Sequence, residues 1–144
     1  MRYCSLADLQ LAIPAQTLIW LSNDDASATA MNAAVVEEAV RQAEELVDAY
    51  LRGRYTLPLD PIPSVIKDMT VNLARHWLYA RRPEGSELPD AVTRTYKSAL
   101  HTLASIRDDK LHIGAPTGEA VAEPGEMKVH ARARRFSADL LERY

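Results

Sequence analysis

The stretch Asn32-Ala33-Ala34-Val35-Val36-Glu37-Glu38-Ala39-Val40-Arg41-Gln42-Ala43-Glu44-Glu45-Leu46-Val47-Asp48-Ala49-Tyr50-Leu51-Arg52 decides the fold. Val36, Val40, Ala43, Val47 and Tyr50 recur at alternating steps of four and three residues, which lays one apolar stripe along an α-helix. No proline interrupts residues 15–57, so no amide hydrogen is missing and no ring clashes with a preceding turn. Asn32 is the expected N-cap, with Met31 and Val36 at the spacing of a hydrophobic staple. Gly53 is expected to close the helix in the left-handed conformation.

Working outward, the same periodicity returns twice. Ile62, Ile66, Met69, Leu73 and Trp77, continued by Ala80, predict a second long helix starting near Asp60-Pro61-Ile62-Pro63, with Asp60 as cap and both prolines in the first turn. Pro83 and Gly85 should end it. Val92, Tyr96, Ala99, Leu103 and Ile106 predict a third helix after Ser86. Residues 5–11 and 14–21 read as two short helices, the second opened by Pro14. The expected architecture is all-α: a bundle of three longer and two short helices over residues 1–113.

The chain then changes character. Residues 114–126 hold three of the five glycines and two of the eight prolines, the composition of an extended arm. From Met127 to Arg134 small apolar and basic residues alternate. Period two favours a short strand with one cationic face, although Ala and Arg also suit a helix. Phe136, the single phenylalanine, precedes Leu140, Leu141 and Tyr144, apolar anchors on a terminus too short to fold alone. Residues 114–144 are therefore read as a docking arm.

The net charge of −3 conceals an uneven distribution. Residues 128–144 carry Lys128, Arg132, Arg134, Arg135 and Arg143 against Asp139 and Glu142, a surplus of +3, so the preceding 127 residues carry −6. An acidic body argues against a dedicated nucleic-acid binder, and a basic arm suits docking on an acidic protein surface, including that of a neighbouring copy. The arm also carries the rival reading, a small helical DNA-binding regulatory protein that uses this tail on phosphates. No apolar run approaches the roughly 18 residues of a membrane span, and the N-terminus has no secretory pattern. A single cysteine, Cys4, excludes an intramolecular disulfide and suits a reducing compartment.

The sequence offers no catalytic constellation. Cys4 has no histidine near it in sequence and reads as an incidental or partly buried thiol. His76, His101, His112 and His130 show no helical metal-ligand spacing, and His76 beside Trp77 reads as a core or interface histidine. Glu37, Glu38, Glu44, Glu45 and Asp48 lack histidines at matching offsets and read as a solvated face rather than a metal site. Asp24-Asp25 and Asp108-Asp109 are turn or helix-end acids. Gly114 and Gly118 form no phosphate loop. A small hydrolase or metalloenzyme is thus the weakest reading, and no catalytic residue, metal or cofactor is expected.

Particular strings carry a resemblance. Tyr3-Cys4-Ser5-Leu6-Ala7-Asp8-Leu9 followed by Ile13-Pro14, then Val36-Glu37-Glu38-Ala39 leading to Ala49-Tyr50-Leu51-Arg52-Gly53-Arg54-Tyr55 and Leu57-Pro58-Leu59, resemble a family of small proteins of Mu-like phages and prophages. Pro63, Asp68, Ala74-Arg75, Leu78-Tyr79, Arg135-Phe136-Ser137 and Asp139-Leu140 continue the match over nearly the whole chain. Ala138 stands where the family often has arginine, and Glu142-Arg143-Tyr144 where a Gly-Phe ending is common. The resemblance implies a head–tail connector, or adaptor: a helical protein forming a ring, typically of twelve copies, beneath the portal of a phage capsid. It implies no enzymatic activity, a stopper or tail-completion protein on the other face, and DNA passing through the lumen without specific binding. Its place would be the head–tail interface of the virion, and the host cytoplasm during assembly, with no membrane contact. On this reading Lys128, Arg132, Arg134, Arg135, Phe136, Leu140, Leu141 and Tyr144 meet the portal or a neighbouring copy. Arg52 and Arg54 either serve a subunit interface or cap the helix end.

Overall fold

A computed structural model describes residues 1–82 and 87–117. Five α-helices follow in chain order: α1 (Leu6–Ala12), α2 (Ala15–Ser22), α3 (Ala33–Leu51), α4 (Ser64–Ala80) and α5 (Asp90–Arg107). The fold is all-α, with three long and two short helices, and no strand occurs among the described residues. The arm's expected strand or helix at 127–134 lies outside them.

The three apolar stripes meet in one core. Val36, Val40, Val47 and Leu51 of α3 are buried with Ile66, Leu73, Ala74 and Leu78 of α4 and Ala99, Leu103 and Ile106 of α5. The long helices pack on one another, α1 lies against α4, and α2 bridges α3 and α4. Leu9, Ile13, Leu18 and Leu21 bring the short helices into the same core. Each fully buried Leu or Ile contributes roughly 1.5–3 kcal/mol from leaving water, so these short segments are held by packing rather than by helical propensity. α1 also has a complete capping box. The Asp8 amide donates to Ser5 Oγ at 3.2 Å, and the Ser5 amide donates to Asp8 Oδ2 at 2.8 Å.

Several local expectations are corrected. Asn32 stands at the N-cap of α3 but its side chain makes no capping bond; its amide donates to the buried Ser22 Oγ at 3.0 Å, tying α3 to the end of α2. Gly53 is not left-handed: α3 ends in a turn in which the amides of Arg54 and Tyr55 both donate to the Leu51 carbonyl, at 2.9 and 3.0 Å. α4 begins at Ser64, with Pro63 at its N-cap, so Asp60, Pro61 and Ile62 precede the helix and Ile62 is 39% exposed. The buried face of α4 is also broader than the expected stripe. It includes Thr70, Val71, Ala74 and Leu78, while Trp77 is half-buried and Ala80 exposed. Thr70 is tolerated inside because its hydroxyl donates to the Ile66 carbonyl at 2.8 Å.

Candidate assembly surfaces

The root of the arm is built on the end of α5. Asp109 (φ 62°) and Gly114 (φ 73°) both take the left-handed conformation, turning the chain away from the helix axis. Arg54 reaches from the α3–α4 connection to the C-terminal end of α5. Its guanidinium donates to the Ile106 carbonyl and to the Asp109 carboxylate, and its charge complements the negative end of the helix dipole. Ile113 and Ala115 pack against the core, and Thr117 forms an isolated antiparallel bridge with Tyr55, the residue after Arg54. Arg54 and Tyr55 together set the point from which residues 118–144 continue.

Of the expected site residues, Arg54 bonds the end of α5 rather than of α3, the helix it follows, and Arg52 is exposed beside it. Lys128, Arg132, Arg134, Arg135, Phe136, Leu140, Leu141 and Tyr144 lie outside the described residues.

The acidic cluster on α3 is divided between two environments, which corrects its reading as a solvated face. Glu38, half-exposed, and Glu45, exposed, flank Arg41, whose Nε lies 2.8 Å from Glu38 Oε2 and whose Nη1 lies 2.5 Å from Glu45 Oε1. Hydrogen bonds from Arg41 and Gln42 hold the Glu38 carboxyl down at about 2. Glu44 and Asp48, by contrast, are only 3% and 6% exposed. They receive the N-terminus of the chain. Glu44 Oε1 accepts the backbone amides of Arg2 and Tyr3, the latter at 2.9 Å. Asp48 accepts the Tyr3 hydroxyl at 2.5 Å and the Arg2 guanidinium at 2.8 Å. Two buried carboxylates are thereby paired and hydrogen-bonded, the condition under which buried charge is tolerated.

This strap carries Tyr3 and Cys4 into the core. Burial, with the hydrogen bond to Asp48 next in importance, pushes the Tyr3 phenol up to about 12. Burial, reinforced by Glu44 and Asp8, pushes the Cys4 thiol up to about 11. A buried, protonated thiol is a poor nucleophile, so Cys4 serves packing. His76 stacks on Tyr96 with ring centroids 3.7 Å apart, and burial lowers its pKa, favouring the neutral imidazole. Among the described residues no group of three or more His, Cys, Asp or Glu is placed to hold a metal ion. Among the same residues no helix is long and apolar enough to cross a membrane.

A second surface was not anticipated from the sequence. At the C-terminal end of α4, Arg81 donates to the Leu21 carbonyl at 2.9 Å and pairs with Asp24, while Arg82 donates to the Trp20 carbonyl at 2.7 Å. The Arg82 guanidinium lies 3.1 Å over the Trp20 ring, yet Trp20 remains 51% exposed. The adjacent Arg81-Arg82 pair at a helix end was the available signal, since such residues cap carbonyls. Which carbonyls they reach depends on α2 packing beside α4.

Comparison with known proteins places this arrangement. The family model described as Bacteriophage Mu, Gp36 matches residues 3–131. Gene product J of Escherichia phage Mu is 31% identical over 100 residues, which cover 69% of this chain and 67% of that protein. The Mu-like prophage FluMu protein gp36 of Haemophilus influenzae is 26% identical over 108 residues, covering 75% of this chain and 70% of that protein.

Proposed function

The chain belongs to the bacteriophage Mu Gp36 family, and from that premise we propose that it is a structural head–tail connector. On this reading, copies of the chain, twelve by the resemblance, form a ring between the capsid portal and the stopper or tail-completion protein. The protein carries out no catalytic step and acts at the head–tail interface of the virion after assembling in the host cytoplasm. DNA passes through the lumen without specific binding.

The observation that carries this reading is the anchored root of the C-terminal arm. Arg54 and Tyr55 direct the chain off one end of an acidic bundle at Thr117. The end of that arm, residues 128–144, carries the +3 surplus and the apolar anchors Phe136, Leu140, Leu141 and Tyr144. Such an arm can dock on the portal through its apolar anchors, with the cations fixing orientation. An acidic body repels phosphates, which favours passage of DNA over its retention.

Deletion of residues 127–144 should abolish binding to the portal while leaving the helical circular-dichroism signal and Tm of the bundle in place. Unchanged portal affinity would refute the docking role of the arm. Tight, salt-sensitive binding of duplex DNA by the truncated body would refute the passive lumen. DNA binding by the full chain that disappears with the deletion would favour the regulatory alternative.

A further inference from the structure

We propose that the proline-rich turn of one copy, residues 57–63, seats in the socket beside Trp20 and Tyr79 of the next copy. The identity of the partner as a second copy rests on the ring reading; the two surfaces themselves are properties of the described chain.

The socket has a volume of about 370 Å³ and is lined by Trp20, Tyr79, Arg82, Leu88, Pro89 and the exposed Glu87. Its principal contact groups are already ordered. Arg82 is held over the Trp20 ring and bonded to the Trp20 carbonyl, so neither side chain must be immobilised on binding. Tryptophan, tyrosine and arginine are also the residue types that most often carry interface energy. A half-exposed tryptophan under a stacked guanidinium offers both an apolar platform and a charge.

The turn has matching chemistry. Leu57 is half-buried and Leu59 buried, which roots the segment, while Pro58, Asp60, Pro61 and Ile62 are exposed. Proline rings restrict the backbone, and aromatic-lined grooves recognise such preformed, apolar segments. The charges are complementary as well: Asp60 on the turn answers Arg82 in the socket, and the exposed Arg52 on the same α3–α4 connection answers Glu87.

Placement makes the contact heterologous. The turn precedes the N-terminus of α4, whereas Tyr79 and Arg82 stand at its C-terminal end. Seventeen residues at 1.5 Å each put these surfaces about 26 Å apart along the helix. A pair of complementary but distant patches on one molecule cannot satisfy each other within it. Between copies they join head to tail, the geometry that closes into a ring when the rotation permits.

The test uses the full chain, followed by sedimentation velocity and mass determination over a concentration series. The variants are Trp20→Ala, Asp60→Arg, Arg82→Glu and the double charge swap Asp60→Arg with Arg82→Glu. Circular dichroism and Tm verify folding, and the exposed Asp60→Arg keeps the test valid if Trp20→Ala unfolds. Each single charge reversal should weaken self-association about tenfold or more, and the double swap should restore most of it. A ring that assembles unaffected by all four variants would overturn the turn-and-socket contact and leave the ring reading standing. Open head-to-tail oligomers sensitive to the variants would support the contact and count against the ring. Association lost on deleting residues 127–144 but untouched by Asp60→Arg would assign the socket to the arm and overturn the proposal. So would a wild-type chain that stays monomeric at every concentration.

Discussion

The N-terminal strap and the root of the C-terminal arm are both irregular segments fastened to helices, but opposite physics fastens them. At the strap, carboxylates on α3 lie in the protein interior and the incoming chain supplies their donors: two backbone amides, a phenol and a guanidinium. At the arm root, Arg54 supplies the donors and the end of α5 supplies the acceptors, with Asp109 largely exposed. The first arrangement leaves buried polar groups stranded if it fails. The second returns its groups to water. The strap is consequently part of the core, whereas the root is a surface fastening that can adjust without unfolding the bundle.

The sharpest way to break the comparison is Glu44→Ala. It strands the amides of Arg2 and Tyr3, and the chain should lose roughly 2–4 kcal/mol in denaturant unfolding. Glu45→Ala, two-thirds of the way along the same helix but exposed, should change stability by less than about 0.5 kcal/mol. Cys4 reports the difference chemically. Its alkylation should be very slow in the wild-type chain and accelerate in Glu44→Ala by about tenfold for every 1.4 kcal/mol by which strap opening becomes easier. Equal effects of the two substitutions would show that the strap is not integral to the core.

Arg54→Ala should cost less, roughly 1–2 kcal/mol, because the α5 carbonyl and Asp109 can be hydrated once released. Its larger consequence should be local. Amide exchange over residues 108–117 should quicken while the amides of α3 and α4 remain protected. Global loss of protection would mean that the root is as integral as the strap.

The effect that appears only far above neutral pH is the alkaline response of the strap. The folded thiol of Cys4 titrates at about 11 against an ordinary 9.0, and the phenol of Tyr3 at about 12 against 10.0. Both folded values are raised, so their contribution is complete below pH 9 and is lost as pH rises through about 11 and then about 12. Tyr3→Phe should flatten the upper part of that decline. An unchanged alkaline profile would place the Tyr3 hydroxyl outside the hydrogen bond with Asp48.

The long helices were legible because their apolar residues repeat with the period of the helix itself. Val36, Val40 and Val47 need no knowledge of partners to be assigned inward. Their ends were less legible. Asn32 has the right chemistry for a cap, yet the neighbouring Ser22 takes over the tie to α2, and Pro63 rather than Asp60 marks the start of α4. The acidic cluster was the clearest misreading. Glu44 and Glu45 are adjacent and chemically identical, and only the N-terminal strap folding onto α3 separates a buried acid from a solvated one. Trp20 was equally silent, because the arginine that stacks on it is 62 residues away.

What the sequence determined by itself was periodic or compositional: an all-helical body, a family, and a charge split between the acidic first 127 residues and the basic last 17. Those properties arise from residues close together in the chain. The tertiary structure decided which acids lie dry, which arginines close helix ends and which tryptophan faces outward. Each of these depends on burial and on donors supplied from tens of residues away, and local periodicity carries no record of either.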